Sequence, residues 1–192
     1  MSKTLRLLLG DQLNSRHSWY STVDDSVTYV MMEVRTETDY TTHHIQKVVG
    51  FFSAMRQFAA ELQSKQHQVL YIQLNDANNF QSFEKNIKYL IEKEHFTHFE
   101  YQLPDEYRLD QQLKNLCQSL SIIILVCDSE HFMSSRNELE NFFEGKKNFL
   151  MESFYHMMRK KHHVLMEGDK PLTGKWNYDE DNRKKLPTNH KA

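Results

Sequence analysis

Cysteine is scarce: the chain of 192 residues has two, Cys117 and Cys127. Two thiols are too few for a disulfide framework, a structural zinc site or an iron–sulfur cluster, so a reducing, cytoplasmic setting with no metal site is expected. Long apolar runs are missing as well. The longest covers about five residues where a bilayer span needs roughly 20, and Met1 to Leu8 lacks the apolar stretch of a signal peptide, so neither membrane insertion nor export by that route is expected. Glycine and proline number only 5 and 3, which excludes collagen-like and low-complexity chains. A mean hydropathy of -0.71 leans toward disorder, but 12% aromatic residues supply enough bulk for a packed, globular core.

The net charge of -2 hides an asymmetry. From Gly145 onward there are 11 Lys and Arg against 6 Asp and Glu, an excess of +5, while Met1 to Glu144 carries 13 against 20, or -7. The two parts therefore present different surfaces to partners. The run Arg159-Lys160-Lys161-His162-His163 reads either as a solvated helix end, where cations suit the negative end of the helix dipole, or as part of a basic arm.

Periodicity organises the rest. Apolar runs at Leu5–Leu9, Val27–Met32, Val69–Ile72, Thr97–Tyr101 and Ile122–Val126 read as five strands. Between them, Val48, Phe51, Phe52, Met55, Phe58, Ala59 and Leu62 recur every three or four residues, as do Phe83, Ile87, Leu90 and Ile91, and then Leu109, Leu113 and Leu116. These spacings predict amphipathic helices. Strands alternating with helices require a parallel sheet with right-handed crossovers, a doubly wound, Rossmann-like α/β fold. Beyond Asp128 no further strand is expected. Phe149, Leu150, Phe154, Met157 and Met158 mark a helix, and the tail from Glu167 reads as a loop punctuated by Lys170-Pro171, Gly174-Lys175 and Leu186-Pro187. Because that tail carries Trp176 and Tyr178, it is expected to pack on something, either this domain or another.

In open α/β sheets, ligands settle beyond the carboxyl ends of strands where strand order reverses. The loop after the first strand offers Gly10, Asp11 and Gln12; the loop after the second offers Glu33, Glu37, Tyr40, His43 and His44. If one helix begins a few residues before Tyr40, then Glu33, Glu37, Tyr40 and His44 share a face. Such a pocket suits a neutral, polyhydroxylated heterocycle, whose hydroxyls need acceptors and whose ring needs a stacking partner. It suits a phosphate badly, and neither GxGxxG nor a P-loop is present. Ordinary helix capping and surface solvation would explain the same residues. Asp128, Glu130 and His131 form a second acid–imidazole cluster, but no nucleophile stands beside either cluster in a recognisable frame, so no catalytic residue is assigned.

The motifs Leu8-Leu9-Gly10-Asp11-Gln12-Leu13, Met32-Glu33-Val34-Arg35-Thr36-Glu37 with Tyr40 and His43-His44, and Phe51-Phe52-Ser53-Ala54-Met55-Arg56 resemble one known family. So do Glu100 to Asp110, Glu130-His131-Phe132, Met151-Glu152-Ser153-Phe154-Tyr155 with Met158-Arg159-Lys160-Lys161, and Gly174-Lys175-Trp176-Asn177-Tyr178. Together they resemble the prokaryotic photolyase-related proteins, the (6-4) photolyase-like iron–sulfur branch of the cryptochrome and photolyase superfamily.

The resemblance implies a longer architecture: an α/β antenna domain, a connecting region, and a helical domain holding FAD and a 4Fe-4S cluster that repairs ultraviolet lesions in DNA with blue light. It implies an antenna chromophore, 6,7-dimethyl-8-ribityllumazine, between the loops after the first two strands, and so assigns cofactor binding to Gly10, Asp11, Gln12, Glu33, Glu37, Tyr40 and the His43-His44 pair. Residues 1–130 would be the antenna domain and 131–192 a connecting helical segment and arm toward the FAD domain. DNA would then be contacted only through the full-length protein. The chain stops at Ala192, before any flavin pocket or cluster cysteines, so it is expected to be a fragment or a stand-alone remnant without chemistry of its own. Two rivals remain: a stand-alone Rossmann-like small-molecule or nucleotide-binding enzyme or flavin carrier using Glu33, Glu37 and His44, and a nucleic-acid module using the basic arm.

Overall fold

The computed structural model describes residues 2–179, so Leu186-Pro187 lies outside the described residues. The chain divides into two compact units, Met1–Phe132 and Met133–Ala192.

In the first unit, β1 (Thr4–Leu7), β2 (Val27–Met32), β3 (Gln68–Ile72), β4 (His98–Gln102) and β5 (Ile123–Cys127) form one parallel sheet in the order β3-β2-β1-β4-β5. Leu7 stands opposite Val30 on one side and Tyr101 on the other. The doubly wound α/β expectation holds, and the strand order reverses between β1 and β4. β1 ends earlier than its apolar run, because the Gln12 side chain accepts the Leu9 N–H at 3.1 Å and donates to the Gln102 carbonyl at 3.2 Å.

After β2 come α1 (Arg35–Thr38) and α2 (Ile45–Ser64); α3 (Phe83–Glu94) joins β3 to β4, and α4 (Tyr107–Gln118) joins β4 to β5. The period-two alternation of the strands sends Leu5, Leu7, Val30, Met32 and Phe99 to the face covered by α3 and α4. Leu8, Tyr29 and Met31 go to the other face, where Met55, Phe58, Ala59 and Leu62 of α2 meet them. Each buried Leu, Val, Met or Phe side chain among these contributes about 1.5–3 kcal/mol. No helix crosses from β1 to β2; a 3-10 turn, Ser18–Tyr20, packs Trp19 and Tyr20 on the α2 side instead.

One expectation is corrected. No single helix runs from before Tyr40 to His44: α1 stops at Thr38, residues 39–44 are loop, and α2 starts at Ile45. Thr38 turns its hydroxyl to the Asp39 carboxylate at 2.8 Å, the kind of side-chain bond that competes with helix continuation. His44 then caps α2, its Nδ1 accepting the Gln46 N–H at 3.2 Å.

The second unit holds α5 (Glu138–Phe143), α6 (Met151–Lys161) and a short antiparallel hairpin, β6 (Met166–Glu167) and β7 (Lys170–Pro171). The hairpin corrects the reading of the tail as strandless; two residues per strand are too few to show a period, and Gly168, at φ +57°, makes the turn. Arg159 is 3% exposed. Its guanidinium donates to the carbonyls of Val164, Leu165 and Trp176 at 3.1, 2.6 and 2.9 Å. The Trp176 ring centroid lies 4.4 Å from that of His156, so the described part of the tail packs on α6 of its own unit. No helix among the described residues is long and apolar enough to cross a membrane.

Candidate functional site

A cleft opens beyond the carboxyl ends of β1 and β2, beside the switch point between β1 and β4. Its floor is Leu9, Met32, Val34, Phe83 and Leu109, all at most 6% exposed and all part of the hydrophobic core. One wall is the first half of α2, which presents Val48, Phe51, Phe52 and Met55. The rim is polar: Asp11, Glu37, Tyr40, His43, Lys47 and Glu106. The cavity measures about 210 Å³, less than the roughly 300–1,000 Å³ that encloses a whole drug-sized ligand. A bicyclic ring with a side chain would keep one edge in solvent.

Gly10 belongs to the cleft because it lacks a side chain. A Cβ there would lie 2.3 Å from Phe51 Cε1 and 2.9 Å from Met55 Sδ. Both are side-chain atoms, so Gly10→Ala is expected to swing the Phe51 ring and cost about 1–3 kcal/mol. Thermal unfolding would read this as a drop of roughly 2–12 °C; an unchanged midpoint would show that the contact is not tight.

Of the eight residues named from sequence, Gly10, Asp11, Glu37, Tyr40 and His43 line the cleft. Gln12, Glu33 and His44 do not. Gln12, 2% exposed, is engaged in ending β1, and His44 caps α2. The Glu33 carboxylate, fully buried, accepts hydrogen bonds from Arg56 Nε and Nη2 at 2.7 and 2.9 Å, Tyr71 Oη at 2.8 Å and the Leu74 N–H at 2.9 Å. It ties β2 to α2 and β3.

Two residues outside that set matter. Arg108, at the start of α4, grips both oxygens of Glu37 at 3.1 and 2.9 Å and sits 4.5 Å from the Tyr40 ring centroid. Lys47 Nζ lies 3.2 Å from His43 Nδ1 on the rim. A signal for Arg108 was present: in the order 3-2-1-4-5 the loop after β4 stands beside the loop after β1, so the switch-point rule covers it too.

The electrostatics of the rim are uneven. Burial pushes the Asp11 carboxyl above the usual range, with Asp105 and Glu106 adding to the effect and His131 opposing it. Glu37 is ion-paired with the Arg108 fork, which it shares with Glu106. The cluster after β5 is engaged structurally: the Glu130 carboxylate accepts the Ser18 N–H at 3.1 Å, and His131 Nδ1 lies 2.7 Å from Asp105 Oδ2. Among the described residues, no group of three or more His, Cys, Asp or Glu side chains is placed to hold a metal ion.

The family of deoxyribodipyrimidine photo-lyase-related proteins matches residues 6–192, nearly the whole chain. The chain belongs to that family. Among curated relatives, this photo-lyase-related chain is similar to a (6-4) photolyase of Agrobacterium fabrum, 36% identical over 180 residues that cover 93% of this chain and 36% of that protein. It is also similar to an uncharacterized protein of Acanthamoeba polyphaga mimivirus, 33% identical over 88 residues, 44% of this chain and 45% of that one. The photo-lyase-related chain thus spans about a third of the length of the first relative and under half of the second.

Proposed function

We propose that this chain is the antenna part of a photolyase-related DNA-repair flavoprotein and that the cleft holds 6,7-dimethyl-8-ribityllumazine. The observation that carries the reading is the cleft itself: an apolar floor at the sheet's switch point, a tyrosine at the mouth, and carboxylates on the rim. The group fits that donor set. Tyr40 would cover a face of the ring, Asp11 and Glu37 would accept from ribityl hydroxyls, and Lys47 would donate to ring oxygens. When bound, the chromophore absorbs light and passes the excitation on; the residues of this chain bind and orient it and keep water from one side. FAD and the 4Fe-4S cluster belong, in this reading, to a helical repair domain outside residues 1–192. Cys117 and Cys127 are too few to hold the cluster. DNA is met through the longer protein, in the cytoplasm.

Titration of the purified chain with 6,7-dimethyl-8-ribityllumazine, followed by ligand fluorescence, tests this. Saturable binding is expected. Glu37→Ala should weaken it roughly ten- to a hundredfold, the equivalent of losing a charged acceptor worth about 1.5–3 kcal/mol. Glu130→Ala should change little, since Glu130 bonds to the Ser18 loop instead. Absence of saturable binding in the parent, or equal affinity in Glu37→Ala, would overturn the assignment. A two-banded flavin spectrum on the purified protein would favour a flavin carrier instead.

A further inference from the structure

We propose that Arg108 is a positioning residue for this cleft: its guanidinium fork holds Glu37 and Tyr40 in their binding geometry by anchoring them to the start of α4. The inference rests on the cleft being the ligand site.

Tyr40 stands in the six-residue loop between α1 and α2 and is 54% exposed. The α1 helix beside it has only four residues, too few to be stable by itself. Two ring contacts hold Tyr40: the His43 ring, edge-on at 5.1 Å, and the Arg108 guanidinium at 4.5 Å. Tyr40 lines the cleft, and the Arg108 guanidinium lies over its ring. The same cation donates from Nη1 and Nη2 to Glu37 at 3.1 and 2.9 Å, and from Nε and Nη2 to Glu106 at 2.8 and 3.1 Å. Two rim carboxylates that would repel each other are thereby bridged across the mouth of the cleft, from the loop after β2 to the start of α4. The geometry is that of a planar, multidentate donor, and a lysine ammonium, a point charge, cannot reproduce it. It also stacks on an aromatic face, which favours arginine over lysine again.

The test compares the parent chain with Arg108→Lys and Arg108→Ala in two measurements. The first is amide hydrogen exchange of the free protein. Faster exchange is expected across 35–44 in both variants, with β1 to β5 unchanged; equal protection of 35–44 in Arg108→Ala would overturn the proposal, whether or not any lumazine binds. The second is the lumazine titration. Where the parent binds, both variants should bind at least about tenfold more weakly, with no rescue by lysine, while Arg108→Ala in a Glu37→Ala background should add less loss than it causes in the parent, the remainder being what acts through Tyr40. Full affinity in Arg108→Lys would overturn the role of the fork while leaving the lumazine assignment intact. A parent that does not bind lumazine fails the functional reading, and the exchange result still decides on Arg108.

Discussion

Glu33→Ala is expected to destabilise the sheet unit by about 3 kcal/mol, the lower end of the cost of removing one partner from a buried ion pair. In a chain of this size that lowers the unfolding midpoint by roughly 6–12 °C. Four hydrogen bonds converge on the carboxylate, from Arg56, Tyr71 and the Leu74 N–H. Alanine would leave the Tyr71 hydroxyl and the Leu74 N–H without an acceptor, whereas Arg56, 52% exposed at its side chain, can turn to water; the lower end of the range follows from that exposure. Acid titration supplies a second readout. Burial alone would raise the Glu33 pKa, but the bonds from Arg56, Leu74 and Tyr71 outweigh it and hold the carboxyl below its usual value of 4.5. A carboxylate held low stabilises the fold above its unfolded-state pKa, and the contribution is lost as pH falls through the lowered value. The parent should therefore lose stability on acidification below about pH 4.5 partly through Glu33, and Glu33→Gln should flatten that decline while already being less stable at pH 7. Chemical denaturation at pH 7 and pH 4 measures both. A Glu33→Ala chain as stable as the parent at pH 7 would show that the network is ornamental.

Arg159→Met is expected to release the segment from Val164 to Trp176 while leaving the sheet unit intact. Among the described residues of the second unit, Phe143 is the one buried apolar side chain, so hydrophobic packing contributes little there. What holds the hairpin and the tail on α6 is a buried cation that donates to Val164, Leu165 and Trp176 carbonyls, with the Trp176 ring 5.4 Å from the guanidinium carbon. Hydrogen bonds to a charged group contribute about 1.5–3 kcal/mol each. Losing even two of them should raise the population of the opened segment by a hundredfold or more, at about 1.4 kcal/mol per factor of ten. Limited proteolysis with mass-spectrometric mapping reads this as faster tryptic cleavage after Lys175, which Trp176 follows. An unchanged rate at that site would mean that Arg159 does not secure the tail.

The loops explain why the fold was more legible than the site. Leu5–Leu9 and Val27–Met32 announce buried strands by composition alone, and Met55, Phe58, Ala59 and Leu62 announce a helix face by spacing, because both signals are local along the chain. Chemistry-bearing residues gave no such local sign of their duty. Gln12, Glu33 and Glu37 look alike as polar residues just after strands, yet Gln12 ends β1, Glu33 is buried in a structural ion pair, and Glu37 stands at the rim of the cleft. The helix expected through Tyr40 failed on side-chain competition at Thr38 and Asp39, which periodicity does not register.

By itself, the sequence determined the five strands of the parallel sheet, the α/β architecture and the family, since each follows from local patterning or from contiguous motifs. Only the tertiary structure decided which polar groups are free to meet a ligand. The partners of Glu33 come from 23, 38 and 41 residues away and that of Glu37 from 71. A carboxylate's role is set by the cation and the burial that folding brings to it, and neither is written at its own position in the chain.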